Sequence, residues 1–334
     1  MRNLLVALVI LMLLLDMGLF FHLQKKMDDR PQTVITQQMI SETQPPSEQP
    51  IQEPEPKPEV VPEFTDVPKY RDYEGDSVYA DVLSHSSDSP FGNGHGRATN
   101  VHETAHGIHA SLRNTHRRSG TKINGFYVLE GRGVIIEEPN MRKSRVAEFV
   151  PQNLRSYRYS TYITGQRAWD DTPLYIYDEW NAYVLGGMTN VDDVNKGVYK
   201  GGWTDGVSGC IGFSIYAVAT AMAIQKYDPN YWETNEQFRN FTIWELKRAR
   251  DTFMAGRVMD QFKQEKQDKL LTNLRESPEA APMRGFINKY LEGVWLEEGL
   301  VVTELEYQEH QRAQLSPEDD PTIKIDLERN NSIW

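Results

Sequence analysis

A lone cysteine, Cys210, leaves the chain without any internal disulfide, and because many extracytoplasmic proteins also lack disulfides the redox compartment has to be read elsewhere. Cationic residues are in deficit as well. Against 48 Asp and Glu stand 36 Lys and Arg, for a formal net charge of -12 and a pI of about 5.2. That balance provides no broad basic surface to neutralise a phosphate backbone, so nucleic acid is excluded as a partner. No internal repeat recurs along the chain. What is present is a chain of 334 residues with 39% hydrophobic content, enough to bury a sizeable core as one folded domain with appendages.

An apolar run over residues 4–21, interrupted by Asp16, is preceded by Arg2 and followed by Gln24, Lys25 and Lys26. It has the make-up of a signal core, yet Met17, Leu19, Phe20 and Phe21 leave no small-residue cleavage site. Residues 1–30 therefore read as an uncleaved signal-anchor, just long enough to cross a bilayer. Positive charge on both flanks does not fix orientation, and the signal-like position favours the N-terminus inside. The expectation is a single-pass membrane protein with an extracytoplasmic folded part, secreted if the segment is cleaved. Residues 31–69 follow as a spacer. Nine of the 18 prolines fall between 31 and 68, among Gln, Glu and Thr, and such a stretch cannot offset its ordering entropy by burial. The run PPSEQPIQEPEPKPEVVP is expected to be extended and self-repelling, holding the folded part away from the membrane.

The folded region is expected over 70–302, with an acidic, polar tail over 303–334. Helical spacing of Val101, Ala105, Ile108 and Leu112 predicts a helix over 100–112 with Thr99 or Asn100 as its N-cap. FYVLEGRGVII, over 126–136, reads as a hairpin or edge strand. Residues 145–154 are a further helical candidate. A helix over 175–185 is expected to close at Gly186 and Gly187, and an apolar, buried one runs over 211–226. Beyond Asn235 the pattern is almost wholly helical, ending in a helix around 286–295. The fold class is α+β, a small sheet with a mainly helical C-terminal part.

Six of the eight histidines lie between His85 and His116, and two of them sit in His102-Glu103-Thr104-Ala105-His106. On a helix this spacing puts both imidazoles on one face, one turn apart, where they can reach a single ion. Glu103 then stands beside the metal without binding it, placed to take a proton from water that the metal activates. Zinc is the expected ion, because imidazole suits it and three protein ligands leave its fourth tetrahedral position open. The bland reading makes Asn100 and Glu103 a capping box, with the histidines on a polar helix face.

HETAH resembles the active-site helix of the zincin metallopeptidases. The metzincin branch is excluded, since the position of its third histidine is Leu112. The remaining pattern resembles the gluzincins, and Glu179 to Ala182 matches the Glu-x-x-Ala of the lethal-factor-like and proline-directed group within that clan. The resemblance covers roughly residues 80–190 and implies Glu179 as the third zinc ligand, 73 residues after His106, with a hairpin inserted between the two helices. It implies hydrolysis of a peptide or protein substrate with Glu103 as general base. It also implies a donor for the oxyanion. SYRYSTYITG offers Tyr157, Tyr159 and Tyr162 for that, with Tyr162 the candidate donor. Asp178 is positioned to hold a ligand imidazole by its other nitrogen. His109 is expected to be a solvated helix histidine, and Glu137 and Glu138, which precede Pro139, are expected to turn into solvent.

Two other classes stay open. Cys210, in GVSGCIGFS, stands where a glycine-rich turn would enter a helix, a place where a thiolate nucleophile can be stabilised, with His102 or His106 as base. Against that, a lone cysteine entering an apolar helix is a small buried hydrophobe. A noncatalytic envelope scaffold of zincin-like fold is the third reading, and an intact Glu103 argues against it.

Overall fold

The computed structural model describes residues 59–87, 96–202, 204–297 and 300. The expected anchor, most of the spacer and the tail lie outside the described residues. The order of elements is β1 (Thr65–Asp66), α1 (Val78–Ser84), α2 (Arg97–Thr115), β2 (Ile123–Tyr127), β3 (Arg132–Glu137), α3 (Tyr175–Asn195), α4 (Gly206–Tyr227), α5 (Pro229–Thr234), α6 (Glu236–Arg257), α7 (Glu265–Glu276) and α8 (Ala281–Tyr290). The class is α+β. One antiparallel sheet of order β1-β3-β2 lies beside a mostly helical body. The folded part starts before residue 70: Thr65 pairs with Gly133, Glu63 N donates to Gln237 Oε1, and Val60 and Phe64 pack on the core.

The expected hairpin is β2 and β3, paired from Ile123 with Glu137 to Tyr127 with Gly133. Its turn holds Leu129, Glu130 and Gly131 at positive φ, a conformation that side-chain-bearing residues adopt only when held. Asp81 of α1 does the holding, accepting from Glu130 N and from the Tyr127 hydroxyl. Helix α2 is longer than its apolar spacing predicted and is capped at Gly96, with Asn100 already inside its first turn. The capping-box reading of Asn100 and Glu103 therefore fails. Val101, Ala105, Ile108 and Leu112 form the buried stripe of α2, which meets the sheet and Ala182 and Leu185 of α3. The approach to β2 is close enough that a Cβ on Gly125 would stand 2.3 Å from that of Leu112.

Helix α3 does not stop at Gly186 and Gly187 but runs on to Asn195. Gly187 serves contact between helices: a Cβ there would meet Cys210 Sγ at 3.0 Å and the Gly206 carbonyl at 3.2 Å. Helix α4 begins at Gly206, so the glycine-rich stretch before Cys210 is its first turn and not a loop. Among the described residues α4 alone is long and apolar enough to cross a membrane, and 94% of that apolar window is buried inside the protein. It is the central strut, enclosed by α3, α6 and the segments around Val146 and Ile163. Residues 145–154 form two short 3-10 turns, Lys143–Phe149 and Gln152–Leu154, followed by a π-helical turn, Tyr159–Thr164. The buried Lys143 ammonium secures that turn by donating to the carbonyls of Tyr162 (2.8 Å), Ile163 (3.1 Å) and Gly165 (2.9 Å). The last helix among the described residues ends at Tyr290, earlier than its apolar spacing predicted, and Glu292 and Gly293 follow at positive φ.

Candidate metal centre

Helices α2 and α3 pack side by side through small residues, Ala105 from one and Ala182 from the other, and this brings their polar stripes together. His102 Nε2 and His106 Nε2 stand 3.2 Å apart, and Glu179 Oε2 lies 3.8 Å from the first and 3.7 Å from the second. A triangle with these sides has its centre about 2.1 Å from each corner, inside the range for nitrogen and oxygen ligands of zinc. These residues can hold a metal ion. The two helices that the sequence pairs by motif are thus brought together at the atoms that matter.

Each candidate ligand is supported from behind. The Tyr175 hydroxyl, one turn before Glu179, donates to its Oε1 at 2.8 Å, which leaves Oε2 for the imidazoles. Tyr183, one turn after, sets its ring edge-to-face on His102 with centroids 4.8 Å apart. Phe213 stacks on the other side of Tyr183 at 4.5 Å, and Gly209 leaves the room, since a Cβ there would fall 2.2 Å from the Tyr183 ring. Asp178 accepts from His106 Nδ1 and from Arg113. Its Oδ1 also lies 3.1 Å from Nδ1 of His109, which is fully buried, contrary to the expectation of a solvated histidine. The second nitrogen of His109 meets Asn181 Oδ1 at 2.8 Å, Asn181 Nδ2 donates to Glu245 Oε1 at 2.9 Å, and Arg248 closes the series on Glu245 Oε2 at 2.9 Å. A buried polar chain therefore leads from His106 through α3 to α6. Asp178 holds a ligand imidazole as the sequence suggested, whereas Asn181 and Glu245, far along the chain from His109, were out of reach of local pattern. The signal that was available is the spacing of His102, His106, His109 and Arg113 along one helical face.

The charges are arranged to keep the two imidazoles different. Burial pushes His102 down to about 3, with the neighbouring His106 adding to the effect. Burial also opposes charge on His106, but the bond to Asp178 outweighs it and lifts that imidazole to about 9. Burial would raise Asp178 too, yet His109 and His106 hold it well below the usual carboxylate range. Glu179 is raised by its burial.

Glu103 is partly buried, and its charge is felt at both His106 and Glu179, which sets it at the edge of the same centre. Of the three tyrosines, Tyr157 is 65% exposed and donates to Asp205, and Tyr159 packs toward Tyr216. Tyr162 is the one that faces the centre, its hydroxyl 3.5 Å from that of Tyr183, and burial together with the charge of Glu179 keeps it protonated. Glu137 is exposed, as expected. Glu138 is not carried into solvent: it accepts from Asn124 and, at 3.1 Å, from the Leu174 N–H that opens α3, and so ties the sheet to the helix bearing Glu179. Cys210 is fully buried, its thiol donates to the Gly206 carbonyl at 3.4 Å, and burial pushes it far up, away from thiolate chemistry.

A cleft of about 1120 Å³ opens beside His106 and Glu179, walled by the end of α2, the turn into β2, and Trp169 and Tyr175, whose rings stack at 5.2 Å. With that geometry in hand, comparison with known proteins adds no identity: no family model matches the chain, and neither a curated protein nor a solved structure is detectably similar to it.

Proposed function

We propose that the protein is a zinc-dependent peptidase with a gluzincin-like core, tethered to a membrane by residues 1–30, in which His102, His106 and Glu179 hold the metal. The observation that carries this reading is the triangle of ligand atoms, whose size fits zinc and whose third corner, Glu179, comes from the helix that the motif resemblance names. Bound there, zinc supplies Lewis acidity, polarising a carbonyl and lowering the pKa of water. The chain's own residues do the rest. Glu103 takes the proton of the attacking water as the new C–O bond forms, and delivers it to the amine nitrogen as the C–N bond breaks. Tyr162, kept protonated, donates to the carbonyl oxygen as it gains negative charge. Asp178, bonded to His106 Nδ1, leaves the Nε2 lone pair for the metal, and Tyr175 fixes the rotamer of Glu179.

The test is Glu103→Gln in the full chain, with zinc content and hydrolysis of a degenerate peptide pool measured together. The variant is expected to keep its zinc and lose turnover. Retained turnover sinks the mechanism, while a parent protein that binds zinc and cleaves nothing returns the noncatalytic scaffold.

A further inference from the structure

The cleft beside the metal centre gathers four cations, Arg113, Arg117, Arg118 and Lys122, in a chain whose net charge is -12. Two of these are already committed: Arg113 donates to Asp178, and Lys122 is paired with Asp171. Arg118 reaches Glu137 only at 3.8 Å, with both side chains more than half exposed, a pairing worth little in water. Arg117, just past the end of α2, is exposed and has no ion pair or hydrogen bond among the described residues. The carboxylates in the cleft do not answer Arg117 or Arg118. Asp178 is taken by His106, His109 and Arg113, Glu179 belongs to the ligand triangle, and Glu138 accepts from Asn124 and the Leu174 N–H. Gln166, Trp169, Thr172 and Tyr175, which also line the cleft, carry no charge. A guanidinium presents a planar fork that matches a carboxylate.

We infer that this cleft selects peptides bearing carboxylates on the side of the scissile bond that faces the α2–β2 turn, with Arg117 and Arg118 as the specificity-determining residues. The inference takes the peptidase reading as its starting point. The carboxylate belongs either to an Asp or Glu side chain or to a free C-terminus, and the test separates the two.

Zinc-loaded full-length protein carrying Glu103→Gln is immobilised and offered two degenerate decapeptide libraries, one with free and one with amidated C-termini, and the bound fraction is sequenced against the input. Asp and Glu are expected to be enriched about fivefold, the yield of two exposed charge pairs. Adding Arg117→Glu and Arg118→Glu should reverse the preference toward Lys and Arg, with zinc content unchanged. Enrichment in the amidated library assigns the carboxylate to side chains, and binding confined to the free-acid library assigns it to the C-terminus. Equal binding of the two libraries with no enrichment of Asp and Glu in either, or a carboxylate preference that survives the double reversal, overturns the inference. Hydrolysis of the same libraries by the parent chain is scored separately: cleavage with neither enrichment nor a preference for the free-acid library removes the inference alone, and a carboxylate preference without cleavage removes the peptidase reading.

Discussion

Replacing Gly209 by alanine tests whether the seat of Tyr183 is as tight as the packing implies. The added methyl would lie 2.2 Å from Tyr183 Cδ1 and 3.0 Å from Cγ and Cε1, where carbon atoms need about 3.5 Å or more. The ring has nowhere to retreat, because Phe213 stacks on it at 4.5 Å and His102 meets it edge-on at 4.8 Å. Overpacking of this kind costs about 1–3 kcal/mol, and the better helix propensity of alanine returns at most about 1 kcal/mol. Because a 2.2 Å contact stands at the severe end of that range, a net loss of about 2 kcal/mol follows, a fall in Tm of roughly 4–8 °C for a domain of this size. Gly285→Ala is the matched control. Gly285 is an exposed residue inside α8, and a Cβ there would have no neighbour within 4 Å, so the same chemical change should stabilise by about 0.5–1 kcal/mol. Urea titration at constant m value reads both, and zinc affinity should fall in the Gly209 variant alone. A neutral or stabilising Gly209→Ala would refute the claim that this ring is wedged behind the metal centre.

Glu179→Ala is expected to lower zinc affinity by at least about tenfold, more than loss of a supporting partner, whereas the exposed Glu137→Ala leaves it unchanged; chelator competition decides, and equal affinities would remove the third ligand. Glu138 offers a pH test. Burial raises its carboxyl from 4.5 to about 7, so the folded state binds a proton more readily than the unfolded one. The stability this contributes is complete below pH 4.5 and is lost as the pH rises to about 7, and Glu138→Gln should flatten that fall relative to the parent. Parallel stability curves for the two proteins across that window would contradict the assignment.

The two site helices and the hairpin were legible because their information is local. Val101, Ala105, Ile108 and Leu112 mark a buried stripe by spacing alone, and the alternation over 126–136 marks the paired strands. What escaped the sequence depends on partners far along the chain. Gly186 and Gly187 carry the usual signature of a helix end, and only the packing of Gly187 on Cys210 explains why α3 continues. His109 looks like any polar helix residue until Asp178 and Asn181 arrive from α3. Glu138 reads as a turn residue until the Leu174 N–H supplies its partner, and Thr65 reads as spacer until β3 pairs with it.

The polar chain that ends on Arg248 bears on how far the site can be cut down. The motif-bearing stretch, roughly 80–190, would pass for a self-sufficient module if judged by where its chemistry is written. Yet Asn181 finds its acceptor on α6, and the apolar helix α4, which carries Cys210 and packs on Tyr183 through Phe213, is itself roofed by that same segment. A fragment ending before residue 236 would expose the far side of α4 and leave a buried amide without its match. The smallest transplantable unit of this centre is therefore nearly the whole described chain, and grafting its two helices onto another scaffold would have to carry Glu245 and its arginine along with them.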